Sequence, residues 1–227
     1  IDAHYSQIEL RLHPHFSQCK ALLDAYHDNL DIHAATAAKL FNVALSDVTP
    51  ELRRRAKTIN FGIIYGMSAF GLAKDLGCSN DEAQRYINAY FATHPEVRAY
   101  MEENVRRAKE DGYVTTLLGR KRYIVELKSG NFNQRAFGER AAMNMPLQGS
   151  AADIIKIAML RVTKRLAQDG MAAKLVLQVH DELILDAPES EAEAAKSLLK
   201  EEMEAATQLR VPLIAEVSTG KSWYEAK

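Results

Sequence analysis

The fold of this chain is easiest to predict at residues 175–185, which read LVLQVHDELIL. Apolar arms flank a polar pair, so we predict two strands, Lys174 to Val179 and Glu182 to Asp186, joined as a hairpin at His180-Asp181. Two adjacent carboxylates on a rigid, exposed hairpin tip are what a divalent metal site requires. An ordinary polar turn is the alternative, because Asp is a favoured turn residue.

Outside this hairpin, the two ends of the chain and its middle predict different secondary structure. Residues Ile1 to Leu12 alternate in polarity and predict an opening strand, whereas helical signals dominate from Lys20 to Gly112. A second helical stretch begins near Phe132, is expected to break at Pro146, and resumes to Asp169. We therefore predict an α+β fold, in which a sheet built from both ends is interrupted by a mainly helical insertion.

Composition excludes several functional classes. The 227 residues carry 29 Lys plus Arg against 30 Asp plus Glu, so a general polyanion-binding surface is not expected, although a local basic groove remains compatible. Two cysteines do not make a disulfide framework and favour a reducing compartment. No apolar run approaches the roughly 20 residues of a membrane span, so we expect a soluble intracellular protein with no membrane partner.

A helical segment at residues 53–66, RRRAKTINFGIIYG, carries the strongest chemical signal. Arg53, Lys57, Phe61 and Tyr65 recur every four residues and lie along one helix stripe. Two cations followed by two rings suit a ligand with phosphates at one end and a flat base at the other. A solvated basic turn followed by two core aromatic residues would produce the same pattern.

Taken together, the chemical segments resemble the motifs of family A DNA polymerases of the bacterial DNA polymerase I type. The matching segments are Tyr5–Arg11, Asp31–His33, Arg53–Gly66, Gly119–Tyr123, Arg140–Gly149, Gln178–Glu182 and Trp223–Lys227. They follow family order and spacing over essentially the whole chain. The resemblance implies an antiparallel palm sheet with flanking helices and a mainly helical fingers insertion: palm at residues 1–19 and 128–227, fingers at 20–127.

The resemblance also implies roles for individual residues toward an incoming deoxynucleoside triphosphate (dNTP). Arg53 and Lys57 would hold its phosphates, with His33 nearby. Phe61 would pack against its base and sugar, and Tyr65 would occupy the template-base position. Glu9, with Gln7 beside it, would crowd the sugar C2′ and exclude ribonucleotides. Five further residues would face the primer-template minor groove or backbone: Arg140, Asn144, Gln148, Gln178 and His180.

Nucleotidyl transfer in this family uses two Mg²⁺ ions bridged by aspartates from two palm motifs. Asp181 matches one of them, Glu182 is its neighbour, and the backbone carbonyl of Tyr5 is a further expected metal ligand. The other aspartate position is occupied by His4. Because Mg²⁺ prefers charged oxygen ligands and imidazole suits softer metals, we expect His4 to impair metal binding and catalysis.

The substitution at His4 leaves two alternatives to an active polymerase. One is a catalytically inactive fragment that still binds nucleotide or DNA. The other is an engineered transition-metal protein, in which His4 would join His13, His15 and Cys19. The family's thumb and N-terminal palm portion have no counterpart in this sequence, so the resemblance implies part of a longer, cytoplasmic, nucleoid-associated polymerase that works on primer-template DNA and dNTP.

Overall fold

The computed structural model describes residues 1–226, which divide into two compact units. One comprises Ile1–Arg11 with the chain from Gln148 onward, and the other comprises Leu12–Leu147. The strands are β1 (Asp2–Tyr5), β2 (Tyr113–Thr115), β3 (Lys121–Tyr123), β4 (Lys174–Val179), β5 (Glu182–Asp186) and β6 (Ala215–Ser218). The helices are α1 (Ile8–Ser17), α2 (Lys20–His27), α3 (Ile32–Phe41), α4 (Pro50–Ile64), α5 (Ala69–Leu76), α6 (Asn80–Thr93), α7 (Pro95–Asp111), α8 (Phe132–Gln168), α9 (Ala192–Glu204) and α10 (Trp223–Ala226).

The unit that contains both ends of the chain is organised around a four-stranded sheet of order β4-β5-β1-β6. Every neighbouring pair of strands is antiparallel, which confirms the predicted α+β class and antiparallel sheet. The hairpin of β4 and β5 has the bounds that the sequence predicts, with His180 and Asp181 as its two turn residues. Leu183 and Leu185 are nearly inaccessible to solvent and anchor β5 in the core.

The opening strand is shorter than predicted. It ends at Tyr5, and a helix begins at Ile8, so the prediction of a strand as far as Leu12 is wrong. Gln7 has a left-handed backbone with φ of 57°, and its carbonyl accepts from the amide of Arg11 as the first helical bond. A residue in this conformation cannot continue a strand. The residues after it therefore sit at helical positions.

The unit formed by Leu12–Leu147 is mostly helical and contains the small hairpin of β2 and β3. Side-chain caps define several of its helix starts, as N-cap residues do when their oxygen accepts an orphan amide. Thr49 accepts from the amide of Leu52 at the start of α4, and Ser79 accepts from the amide of Glu82 at the start of α6. Ser79-Asn80-Asp81-Glu82 has the capping-box pattern, so the cap at Ser79 is predictable from the sequence.

The break expected at Pro146 does not occur, because α8 runs without interruption from Phe132 to Gln168. Proline removes one backbone hydrogen bond and usually ends or kinks a helix. Here the flanking residues bury apolar side chains that hold the helix together: Ala142, Met145 and Leu147 are 0%, 8% and 1% exposed. Tertiary packing therefore overrides the local signal.

The compact units meet after Arg11 and after Leu147, and the predicted functional division at 19/20 and 127/128 stays a prediction. Both observed boundaries, after Arg11 and after Leu147, fall inside continuous helices, where neither composition nor turn residues give a signal. Among the described helices, none combines the length and the apolar character that crossing a bilayer would take.

Candidate active site

The predicted site residues divide between the two units. The helical unit holds His33, Arg53, Lys57, Phe61, Tyr65, Arg140 and Asn144, and the sheet unit holds His4, Tyr5, Gln7, Glu9, Gln148, Gln178, His180, Asp181 and Glu182. Each group is described within its own unit.

Helix α4 presents the predicted stripe of cations and rings. Arg53 and Lys57 are exposed, and Lys57 makes no ion pair with any residue in the described range 1–226. One and two turns further on, the rings of Phe61 and Tyr65 stack with centroids 6.0 Å apart and planes inclined by 26°. Along one face of the helix, the stripe thus begins with two exposed cations and ends with two half-buried aromatic rings.

Arg53 is tied to the start of α3 by an ion pair. Its Nε lies 2.5 Å from the Asp31 carboxylate, which also caps α3 by accepting from the amides of His33 and Ala34. Burial alone would raise the pKa of Asp31, but Arg53 and the two amides outweigh it and hold that pKa below its usual value. A ligand phosphate at Arg53 would therefore compete with, or share, the carboxylate of Asp31.

His33 is buried and does not face solvent. It is 1% exposed, and its Nδ1 lies 3.0 Å from Nδ2 of Asn60, which is 2% exposed. Burial, together with the nearby charges of Arg53 and Lys57, lowers the pKa of His33 to about 4 against the opposing pull of Asp31. The imidazole is thus neutral at pH 7, and its ring contacts Phe61 at a centroid distance of 5.9 Å. In this geometry His33 packs against the ring of Phe61 from the buried side of α4.

The C-terminal end of α4 is held by α8. Nδ2 of Asn144 donates to the carbonyl of Tyr65 at 3.3 Å, which satisfies one of the carbonyls left over at a helix end. Gly66 follows with φ of 65°, and a Cβ there would lie 2.5 Å from Cε of Met143. The left-handed backbone favours glycine here, whereas the methyl group of Met143 is the end of a flexible side chain and could move aside. Arg140, one turn before Asn144 on α8, is exposed.

In the sheet unit, His4 lies between two acidic residues. The strand register places it directly opposite Glu182 of β5 on one side and Glu216 of β6 on the other. Its Nε2 is 3.7 Å from Oε2 of Glu216. Glu182 is only 8% exposed, and its Oε1 accepts from the indole Nε1 of Trp223 at 2.5 Å.

The turn that carries Asp181 is joined directly to the opening strand. The amide of Tyr5 donates to the carbonyl of Asp181 at 3.1 Å, so these two predicted metal-binding residues are neighbours. His180 has a left-handed backbone with φ of 50°, which the tight turn requires, and its carbonyl accepts from Nε2 of Gln178 at 2.6 Å.

The remaining predicted residues of the sheet unit lie on helices or at their approach. Gln7 precedes α1, Glu9 lies in the first turn of that helix and is half-buried, and Gln148 is exposed on α8.

The side chains around Asp181 do not fit a pair of Mg²⁺ ions. Octahedral Mg²⁺ sites use carboxylate oxygens, yet His4 offers an imidazole turned toward Glu216, and Glu182 is engaged by Trp223. Asp2, on the same strand face as His4, is 3% exposed. Residues 1–226 contain no group of three or more His, Cys, Asp or Glu side chains able to hold a metal ion, and so no soft-metal site of the kind considered for His4, His13, His15 and Cys19.

Three contacts of the site were not predicted from the sequence. Asn60 is a polar residue on the buried side of α4, beside Ile59 and Ile63, and that placement was the available signal for a partner. Glu216 could not be matched to His4 without the strand register. Trp223 was recognised only as part of the C-terminal motif, and its bond to Glu182 spans 41 residues.

Comparison with known proteins agrees with these features. The sequence model of DNA polymerase family A matches residues 1–225. DNA polymerase I of Caldicellulosiruptor bescii is 50% identical over 227 residues, covering 100% of this chain and 27% of that protein. DNA polymerase I of Bacillus caldotenax is 52% identical over 225 residues, covering 99% of this chain and 26% of that protein. The chain thus spans about a quarter of the length of these relatives.

A solved structure of the POL domain of Pol1 from M. smegmatis, in complex with DNA primer-template and dNTP, superposes with a TM-score of 0.95 at 44% identity. The match covers 99% of this chain and 40% of that one. The family match runs over nearly the whole sequence, and half of the residues are shared with a named polymerase, so this chain belongs to DNA polymerase family A.

Proposed function

We propose that this chain forms the palm and fingers part of a DNA-directed DNA polymerase, which joins a dNTP to a primer 3′-hydroxyl and releases pyrophosphate. The observation that carries the proposal is the stripe on α4, where Arg53 and Lys57 lead into the stacked rings of Phe61 and Tyr65. The relative from M. smegmatis was solved with primer-template and dNTP, which supports the same ligands here.

In this proposal the helical unit binds the nucleotide. Lys57 and Arg53 neutralise phosphate oxygens, and the ring of Phe61, backed by His33, offers a flat surface to the base and sugar. Tyr65 holds the template-base position, and Glu9 with Gln7 excludes the ribose 2′-hydroxyl. Arg140, Asn144, Gln148, Gln178 and His180 contact primer-template DNA. The residue ranges 1–19, 20–127 and 128–227 keep their proposed functional division, and such an enzyme would work in the cytoplasm at the nucleoid.

Catalysis in this chain is proposed to be impaired. Metal ions supply charge stabilisation and an activated nucleophile in family A polymerases, and their ligands here would be Asp181 and the Tyr5 carbonyl. His4 replaces a carboxylate with an imidazole that lies 3.7 Å from Glu216. That contact favours a second candidate, a fragment that binds nucleotide and DNA without chemistry.

Primer extension combined with dNTP binding tests both candidates. The 227-residue chain is assayed on a primer-template with Mg²⁺ and with Mn²⁺, and dNTP binding is measured by calorimetry in the same buffers. Slow extension together with saturable dNTP binding supports an impaired polymerase. Binding without any extension supports the inactive fragment, and the absence of dNTP binding contradicts both.

A further inference from the structure

The helical unit contains a groove that is lined by residues other than those of the α4 stripe. The groove encloses about 570 Å³ between the end of α4, helices α6 and α7, and the first half of α8. All of its lining residues belong to the unit formed by Leu12–Leu147. Ligand pockets in proteins have volumes of about 300–1,000 Å³, so this groove has the size of a small-molecule site.

The floor of the groove is apolar and is built from every helix that borders it. Ile63 and Met101 are 3% and 6% exposed and form its deepest part. The other apolar side chains are half-buried and leave part of their surface uncovered: Met67, Ile87, Phe91, Val105 and Met143. An apolar molecule on this floor would be stabilised, because the molecule and the side chains would both lose contact with water.

The floor combines one flat surface with several flexible ones. The ring of Phe91 is flat, and the guanidinium carbon of Arg98 lies 5.7 Å from its centroid at the edge of the groove. Met67, Met101 and Met143 have unbranched, polarisable side chains, which fit irregular shapes better than branched ones do. The groove can therefore hold an aromatic or an aliphatic molecule.

The rim of the groove is polar, and its charges are neutralised locally. Each of the five charged residues that line the groove has a partner of opposite charge within 4 Å. The pairs are Arg98 with Glu102, Arg106 with Glu103 and Glu110, and Lys109 with Glu139. A charged ligand would have to displace one of these partners, whereas an uncharged ligand leaves every pair intact. The rim thus favours an uncharged ligand.

We propose that this groove binds an uncharged, mainly apolar small molecule, which packs on the floor and contacts the end of α4 at Ile63 and Met67. Gln84 and Asn88 on the rim bond to each other at 2.9 Å, and each amide has further hydrogen-bonding capacity for a polar group of the ligand. The site requires no nucleotide, DNA or metal ion. It is therefore tested independently of the proposed polymerase function.

The test uses Nile red, an uncharged, apolar dye whose emission intensifies and shifts to the blue when the dye leaves water. Titration with the 227-residue chain should show saturable binding of one dye per chain. The affinity should be nearly the same at low and high salt, because the dye forms no ion pair with the rim. A steep loss of affinity with salt would overturn the inference, since it would mean that charged groups hold the dye.

A pair of tryptophan variants on α7 locates the bound dye. Val105→Trp places a large side chain in the groove and should weaken dye binding by about tenfold or more, a change that a titration resolves readily. Ala99→Trp is the matched control, because it adds the same side chain to the same helix at an exposed position outside the groove. The control should bind the dye like the parent chain.

A second pair of variants keeps the test valid if Val105→Trp disturbs folding, which circular dichroism reports. Ile87→Asn makes the half-buried floor polar and should also weaken dye binding, whereas Leu76→Asn makes the same kind of change on α5 outside the groove. Parent-like binding by folded Val105→Trp and Ile87→Asn, or equal losses in the two controls, would overturn the inference. So would dye binding confined to a dimer in sedimentation velocity, because the groove would then be a contact between two copies.

Discussion

In the proposed function, His4 is the residue on which catalysis would depend most. It lies between Glu182 and Glu216 in the strand register, where an imidazole brings no negative charge to a metal pair. In the proposed function, a single side chain would therefore separate nucleotide binding by α4 from phosphoryl transfer, which would need metal ligands in the sheet.

Replacing His4 with Asp should raise Mg²⁺-dependent primer extension by orders of magnitude, because it restores a charged oxygen ligand next to Asp181. Single-turnover extension under saturating dNTP measures the change. His4→Asn is the control, since it offers an oxygen of the same geometry without the charge and should recover far less. An unchanged rate in His4→Asp would show that metal binding is not the limiting defect.

Lys57→Ala should weaken dNTP binding by roughly 10- to 100-fold, because a hydrogen bond to a charged group is worth about 1.5–3 kcal/mol. Titration calorimetry with the dNTP measures the loss. Arg54→Ala is a matched control on the same helix, since its guanidinium is already bound by Glu51 at 2.7 Å. Equal effects of the two variants would mean that only general charge matters and that the stripe on α4 is not the binding face.

Among the structural elements, helices α6 and α9 show that a serine near a helix start does not always cap the helix. Ser79 caps α6 by accepting from the amide of Glu82 at 3.2 Å. Ser190, with Glu193 three residues later, has the same capping-box pattern, but it lies within a short 3₁₀ turn, and α9 begins at Ala192 without a side-chain cap. Identical residue types thus have different structural roles.

Ser79→Ala should lower the free energy of unfolding by about 1 kcal/mol, because an amide at the start of α6 loses its acceptor. Ser190→Ala should change it very little, since no cap is lost. Urea denaturation followed by circular dichroism compares the two variants with the parent chain. A loss in Ser190→Ala as large as that in Ser79→Ala would contradict the assignment of these helix starts.

Strand and helix signals were readable where local chemistry decides the structure. The bounds of the β4–β5 hairpin and the cap at Ser79 follow from turn and capping residues alone. The end of β1 depends on the left-handed backbone of Gln7, a conformation that the residue type does not predict. The passage of α8 through Pro146 depends on packing around Ala142 and Leu147, which becomes visible only in three dimensions.

The candidate site was predictable to a similar degree. The stripe on α4 follows from helical spacing, and the family motifs supplied the remaining residues. The pair His33–Asn60 joins residues 27 apart in the chain, and the contact of His4 with Glu216 joins opposite ends of it. Such contacts depend on tertiary packing and strand register, about which residue spacing carries no information.

On the scale of the whole molecule, buried histidines couple stability to pH. His13 is 1% exposed, neither of its ring nitrogens has a hydrogen-bond partner within residues 1–226, and it meets the edge of Tyr100. Burial, with a smaller effect from His94, lowers the pKa of His13 to about 4. Burial likewise holds the pKa of His33 near 4. Both side chains fold in the neutral form.

The stability of the chain should therefore fall as pH drops from about 6.5 to 4. A histidine with its ordinary pKa of 6.5 takes up a proton in the unfolded state across this range, whereas His13 does not in the folded state until about pH 4. The contribution of the buried, neutral histidines to the free energy of unfolding is complete above pH 6.5 and is progressively lost below it. Urea midpoints at pH 7 and pH 5 measure the change.

His13→Leu should flatten this pH dependence, because it removes one of the three buried histidines whose pKa is lowered, the others being His33 and His94, and it keeps an apolar side chain in the core. Carboxylates such as Glu103, whose pKa is lowered to about 2 by Arg106 and Arg107, lose their contribution only below their ordinary value of 4.5, so they barely affect the comparison. A pH dependence identical to that of the parent chain would contradict the buried, neutral state of His13.

The bond between Trp223 and Glu182 gives this protein an intrinsic optical reporter. The sequence contains a single tryptophan, so all indole emission comes from Trp223, next to Glu182 of β5, which is directly opposite His4. Any cation that draws the Glu182 carboxylate away from the indole should alter the intensity or wavelength of that emission, and metal affinity at the sheet could be titrated in the unlabelled chain.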